Sequence, residues 1–580
     1  MLRNLDIRRT VLVLISALLL GGPARGAMPE VVGHVPADAQ MAVVVPNLAA
    51  LAAKLPEIEP GDEGTNAVAA LALDAVIGQG PGVRMDGGLV VVSKGLGFTE
   101  NPATTVIIVP ISDFDALAGS FQNVVSDQGD LRRATGYGSV TQELYLRPLG
   151  GYAVVSTDRA WAQSIQTANP SRAQAVGDQL GPGGRAALEQ GHLSFYFNLE
   201  ALNKTVGVQL PYLRPLMAEQ TRQEVQLGLV DANEAMMQNV FQNAMLDMGI
   251  AILRDGRGAM FGLMIGDDRL ELTVDMQMKP DSPLGKDLVG GSDKPLLLNR
   301  LPALPYMMAM STDLSSLPID AWVRNLQDRV PSDNPYGRML QHVAKLAPHR
   351  GGVVQHAWYV PSEETRDVMA NVVVAESPNA TAFIDTFADS AAAPNGWGMH
   401  VEYTERVMLS GEKHEYRIDH LDAGINIPAS GLAHYGTLAM LITHGYSGYA
   451  TTARGALILS SEPSQPLVDA AIASSGGSGA MDQSSGVAEL RSTMPPHRVV
   501  EGYVNLAGAF EFLRGHLVRV DRRIEQIQLP TGLPPTAFSL SVHDSNVLGK
   551  VQAPQALLRE LVFALMQLKS LEAPVHIEVQ

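Results

Sequence analysis

Short apolar runs followed by polar capping residues divide much of this chain into strands that each lead into a helix. Met41-Ala-Val-Val-Val45 is uninterrupted and too short for a helix, so it reads as a buried strand. Asn47 then stands where an N-cap opens a short helix. Val106-Ile-Ile-Val109 repeats the pattern, with Ser112 or Asp113 as the cap. From Phe261 to Met276 apolar and polar residues alternate on either side of Asp267-Asp268, which predicts a β-hairpin. Residues 211–250 change to helical spacing rich in Met and Gln.

The pattern is written twice. The block from Pro36 to Leu51 matches the block from Pro302 to Leu317, 266 residues on, and Asp313 takes the capping place of Asn47. At the same offset Val106–Phe121 meets Val372–Phe387, with Ser377 or Asn379 as the second cap. Gly87-Gly88 precedes a strand as Gly351-Gly352 does. Gly151–Thr157 corresponds to Gly455–Ser461, Asn198-Leu199 to Asn505-Leu506, and Phe261–Asp267 to Phe538–Asp544. Ordered recurrence of this kind predicts an α+β protein of two tandem copies with antiparallel sheets and flanking helices, copy 1 over 27–295 and copy 2 over 296–580. Between Phe387 and Gly455 the offset grows, which places an insertion near 390–450, patterned like a long hairpin and carrying His400, His414, His420, His434 and His444. Ser474-Ser-Gly-Gly-Ser-Gly479 reads as a surface loop.

The N-terminus carries Arg3, Arg8 and Arg9, an apolar run from Val11 to Leu20, and a small-residue stretch ending at Ala27. That order predicts a secretory signal over 1–26, because the apolar run is shorter than the roughly 20 residues a membrane span needs. The expected location is periplasmic or extracellular, with no stable membrane span after cleavage. The 60 Asp and Glu outnumber 42 Lys and Arg for a net charge of −18, which repels phosphate and makes nucleic acid an improbable partner. There are no cysteines, so disulfides, thiolate metal sites and cysteine nucleophiles are excluded.

Templates for chemistry fail. No phosphate loop, zinc helix, EF-hand or nucleophile elbow is present, and Gly445-Tyr-Ser447-Gly448 misses the elbow because its second glycine comes one residue early. Gly78-Gln-Gly80-Pro-Gly82 precedes a strand and reads as a turn. The candidate metal ligands are His414, Asp419 and His420. On a strand the two histidines share a face with Tyr416 while Asp419 and Glu415 point to the other, so one ion would need a bend or a further ligand. His342, His349 and His356 recur every seven residues across helix breakers. Asp113 with Asp115, and Asp267-Asp268, suit turns and helix starts. Ser156-Thr157 and Ser460-Ser461 read as helix caps, and Met236, Met237, Met245 and Met248 as core filling or an adaptable groove.

The Pro36-Ala-Asp opening, the Asp113-Phe114 helix start and the Gly151-Tyr-Ala-Val-Val-Ser strand resemble uncharacterised exported bacterial proteins, planctomycete-like, of families that open with Leu-Pro-Ala-Asp. Here Val35 precedes the first proline, and the second copy keeps Leu301 but not the aspartate. The resemblance implies an exported, duplicated α+β protein and carries over no catalytic residue. The sequence thus reads as a non-catalytic binding or scaffolding protein of the envelope, without a cofactor, whose partner is a protein, peptide or glycan. The alternative is a metal-assisted hydrolase with its site in the insertion.

Overall fold

The computed structural model describes residues 28–557 apart from 55–70, 76–79, 96–104, 361–369, 393–398, 421–445, 461–464, 518–533 and a few shorter stretches. The expected signal segment lies outside the described residues. The architecture is α+β, with antiparallel sheet and flanking helices. Two compact units divide the chain. Of the described residues, one takes those up to Val208, Ala251–Val289 and those from Asp544 to Leu557; the other takes Gln209–Ile250 and Gly290–His543. The division at Val289/Gly290 lies close to the expected boundary, while 209–250 and the segment from Asp544 group across it.

The first unit contains β1 (Met41–Val45), β2 (Leu89–Ser93), β3 (Thr105–Pro110), β4 (Phe121–Gln122), β5 (Val125–Ser126), β6 (Arg132–Tyr137), β7 (Val140–Leu149), β8 (Tyr152–Ser156), β9 (Leu193–Asn198), β10 (Gly256–Ile265) and β11 (Arg269–Met278). All pairings are antiparallel, in the order β6–β7–β8–β3–β2–β1–β9–β10–β11, with β4 and β5 both against β6. Its central strands are buried on both faces. Val45, Leu89, Ile107, Val109 and Val155 point into one apolar cluster, while Val44, Val90, Ile108 and Val154 point into another with Trp161 and Leu188. Burial on both sides explains why these strands are continuous apolar runs rather than alternating ones.

The expected caps hold at Asn47, which accepts from the Ala50 N–H at 2.9 Å, and at Asp113, which accepts from Asp115 and Ala116. Ser156 is not a cap. It is buried, its hydroxyl donating to the Thr105 carbonyl and accepting the Asp158 N–H at 3.0 Å, and Asp158 caps the helix Arg159–Ser164 by accepting from Trp161 at 2.8 Å. A carboxylate accepts more strongly than a hydroxyl, and Asp158 lies nearer the first free amides.

The second unit contains β12 (Tyr306–Asp313), β13 (Val353–Tyr359), β14 (Ala370–Glu376), β15 (Met399–Leu409), β16 (Gly411–His420), β17 (Tyr446–Ala453), β18 (Ala456–Ser460), β19 (Arg498–Val504) and β20 (Thr536–His543). They pair antiparallel as β15–β16–β17–β18–β14–β13–β12–β19–β20. The neighbours of β12 are thus β13 and β19, as those of β1 are β2 and β9. Here burial alternates. Ala357, Tyr359, Val372, Val374 and Ile458 pack into one cluster with Leu467 and Val468, whereas Val354, Val373 and Trp358 on the opposite face are only half-buried.

The last strand, β21 (Asn546–Pro554), pairs with β11 in the first unit, Met276 opposite Val547. Beside this pairing Asp275, fully buried on β11, accepts the Gly181 N–H at 2.8 Å at the start of the helix Pro182–Gln190. Any side chain at Gly181 would place Cβ 2.0 Å from Asn546 Nδ2, so this contact requires glycine.

Candidate functional site

Of the insertion histidines, His400 lies on β15 and His414 and His420 on β16. His414 lies on β16 opposite Arg406 of β15 and Ala450 of β17; Asp419 is opposite His400 and His420 opposite Met399. Six residues of extended strand separate His414 from His420, about 20 Å at the usual rise. Their side chains, and residues 421–445 with His434 and His444, lie outside the described residues. Among the described residues no group of three His, Asp or Glu is placed to hold a metal ion. Ser447 sits within β17, so the glycine-flanked serine is on a strand and not on a strand-to-helix elbow. His342, His349 and His356 belong to a helix, a 3₁₀ turn and β13 respectively.

Several ionisable groups are buried elsewhere in the two units. Glu501 on β19 is fully buried and accepts from Arg491 at 2.7 Å, Arg498 at 2.9 Å and the Tyr503 hydroxyl at 2.7 Å. Burial pushes the Tyr503 hydroxyl up, and the Glu501 charge adds to it. His192 accepts the Ile265 N–H through Nδ1, and burial, helped by the charge of Lys54, lowers it to about 4. His356 is lowered to about 4 by burial alone, its ring 4.4 Å from that of Trp358. Each arrangement holds one protonation state in place, and none pairs a nucleophile with a base.

A wider concavity of about 830 Å³ lies between the helices Leu213–Gln226 and Ala232–Asp255, lined by Arg214, Met236, Val240 and Arg329. Met236 packs with Val240, Val330 and Leu340 as core filling, while Met245 and Met248 are about half exposed. Both Arg214 and Arg329 are tied to Asp247.

A polar cleft of about 700 Å³ lies in the second unit. It runs along one end of four adjacent strands: the ends of β12 and β14 and the starts of β13 and β18. Arg300, Ser315, Asp320, Arg350, Glu376 and Ser377 line it, over a floor that includes Gly351 and Gly352. The charges alternate, since Arg350 pairs with Asp320 at 2.9 Å and Arg300 stands 4.0 Å from Glu376. The second Glu376 oxygen accepts the Val353 N–H at 3.2 Å, which holds the carboxylate over the strand end. Ser315 donates to Asp313 and Ser377 to the His349 carbonyl, so both hydroxyls are spent as donors. No histidine side chain lines the cleft. Such a lining binds a polar ligand and offers it neither an activated nucleophile nor a proton carrier poised near neutral pH.

Sequence reasoning passed over these residues, although a signal was present in the repeat. The 266-residue offset sets Glu376 against Pro110 and Ser377 against Ile111, polar where the other copy is apolar.

In the first unit the same strand ends are closed. The Gly80–Asp86 segment folds over them, with the Arg84 N–H on the Pro110 carbonyl at 2.9 Å, Ala49 on Met85 at 2.7 Å, and a bridge between Val83 and Ile111. Gly82 has φ +73° and its carbonyl accepts the Ser112 and Asp113 N–H groups, so Gly80–Gly82 is a structural turn, while Gly78 and Gln79 lie outside the described residues. No protein-family model, curated protein or solved structure gives a significant match to the chain.

Proposed function

We propose that this is an exported, non-catalytic binding protein of the bacterial envelope, built by duplication, in which the second unit carries the ligand cleft and the first serves as scaffold. The observation that carries the reading is the asymmetry at one sheet end: open and lined by charges along β12, β13, β14 and β18, covered by the Gly80–Asp86 segment with its Arg84–Asp86 pair along β1, β2, β3 and β8. Hydroxyls already committed as donors and partnered carboxylates support binding over turnover. Export rests on the basic, apolar and small-residue order of residues 1–27. Among the described residues no helix is long and apolar enough to cross a membrane.

The test is to express the full chain in a bacterial host, sequence the N-terminus of the exported form, and measure its mass under native and denaturing conditions. The proposal expects a start near Ala27 and a ligand released on denaturation, present in the native chain and absent from an Arg350→Gln/Glu376→Gln double variant. A ligand retained by that variant, or turnover of an envelope substrate by the wild-type chain, would contradict it.

A further inference from the structure

Resting on that binding reading, we infer that the cleft of the second unit takes a short peptide with free termini, recognised as a zwitterion. Two basic and two acidic side chains alternate around the opening, so the site has no excess of either sign. A pure anion such as phosphate would meet Glu376 and Asp320, and a pure cation would meet both arginines. A zwitterion satisfies both pairs at once, its carboxylate on guanidinium and its ammonium on carboxylate.

The pair formed by Arg300 and Glu376 is open enough to accept such a ligand. At 4.0 Å it is at the limit of an ion pair, and Arg300 Nη1 is buried without a hydrogen-bond partner among the described residues. Arg300 keeps a quarter of its side chain exposed, and that part of the guanidinium can meet a ligand carboxylate.

The rest of the lining supports the same class. Gly351 and Gly352 are half-buried between Glu376 and Lys294, the Gly351 N–H donating to the Glu376 carbonyl at 2.6 Å and the Gly352 carbonyl accepting the Leu314 N–H at 2.8 Å. A Cβ at Gly351 would come 2.4 Å from that Glu376 carbonyl oxygen. The remaining lining is Leu314, Leu317, Ala347, Pro378 and Gly455, with no aromatic ring among the described residues for a sugar to stack on. The volume falls in the range of small-ligand sites, roughly 300–1,000 Å³.

The experiment titrates the exported chain, by native mass spectrometry and thermal shift, with four probes. These are an equimolar tripeptide mixture with free termini, the same mixture acetylated and amidated, inorganic phosphate, and a chitin-derived trisaccharide. Binding of the free tripeptides is expected. Capping both ends, or the variants Glu376→Gln and Arg350→Gln, should each weaken it at least tenfold, with Arg350→Lys retaining part of it and Arg84→Gln in the first unit leaving it unchanged. Unfolding midpoints within a few degrees of wild type confirm that the variants fold.

Equal binding of the capped mixture overturns the zwitterion. Binding of phosphate or trisaccharide alone, lost in Arg350→Gln, overturns the peptide while leaving the cleft as a binding site. Tripeptide binding that survives both cleft variants overturns the cleft itself. If no probe binds the wild-type chain, the peptide assignment fails, and the released-ligand measurement decides separately whether the binding reading survives.

Discussion

The two units share a strand-neighbour order and differ in what covers the strands. Ile107 on β3 is fully buried, while its counterpart in the aligned block, Val373 on β14, is half-buried. Along β3 every residue is buried; along β14 burial alternates. The same contrast holds at the strand ends, where Pro110 and Ile111 lie under the Gly80–Asp86 segment and Glu376 and Ser377 line a cleft. One unit covers its second face with apolar packing and its strand ends with the Gly80–Asp86 segment. The other keeps polar groups there, and polar groups held at strand ends by a rigid sheet are what recognition requires.

Several substitutions break or sharpen this contrast. The largest effect is expected from Glu501→Ala, which leaves Arg491 and Arg498 facing a buried gap and should cost about 3–5 kcal/mol in denaturant unfolding. Ser194, which matches Glu501 when counted back from the paired Asn198 and Asn505, donates one hydrogen bond to the Ala187 carbonyl, and Ser194→Ala should cost about 1 kcal/mol. Equal losses would mean that the second unit does not depend on its buried charges. Next comes Ile107→Ala, at about 3–4 kcal/mol for a cavity in a doubly covered sheet, against about 1 kcal/mol for Val373→Ala. Similar costs would show that the second face of β14 is packed as tightly as that of β3.

Acid should weaken both units by a comparable amount. His192 and His356 are lowered to about 4, one in each unit, so the unfolded chain takes up their protons first as pH falls below about 6.5. Their contribution is complete above that value and is lost progressively between pH 6.5 and 4, about 3 kcal/mol for each at most. His192→Gln should flatten the pH dependence of unfolding free energy over that window; an unchanged slope would show that the ring is not held neutral. The smallest effect is at a cap. Asp158→Ala should cost about 1 kcal/mol and Thr157→Ala less, read from thermal midpoints.

Much of the fold was legible because it rests on short-range rules. The apolar run of β1, the hairpin of β10 and β11, the helices of 211–250 and the caps Asn47 and Asp113 follow from local pattern and from amides that need acceptors. Ser156 misled because a hydroxyl after a strand suits a cap, and only the fold shows it turned toward Thr105. The pairing of β21 with β11 is a long-range contact, for which the sequence carries a strand pattern but no address. The cleft was hidden for the same reason. Arg300, Asp320, Arg350 and Glu376 come from four separate segments, and no spacing rule joins them until the strand ends are placed side by side.

The most direct test of the asymmetry is amide hydrogen exchange on the exported chain with and without the free tripeptide mixture. The account predicts added protection at Ser315, Gly351–Val353 and Glu376–Ser377, with none at Gly87–Leu89 or Ile111–Asp113. Protection at both strand ends alike, or at neither, would contradict it.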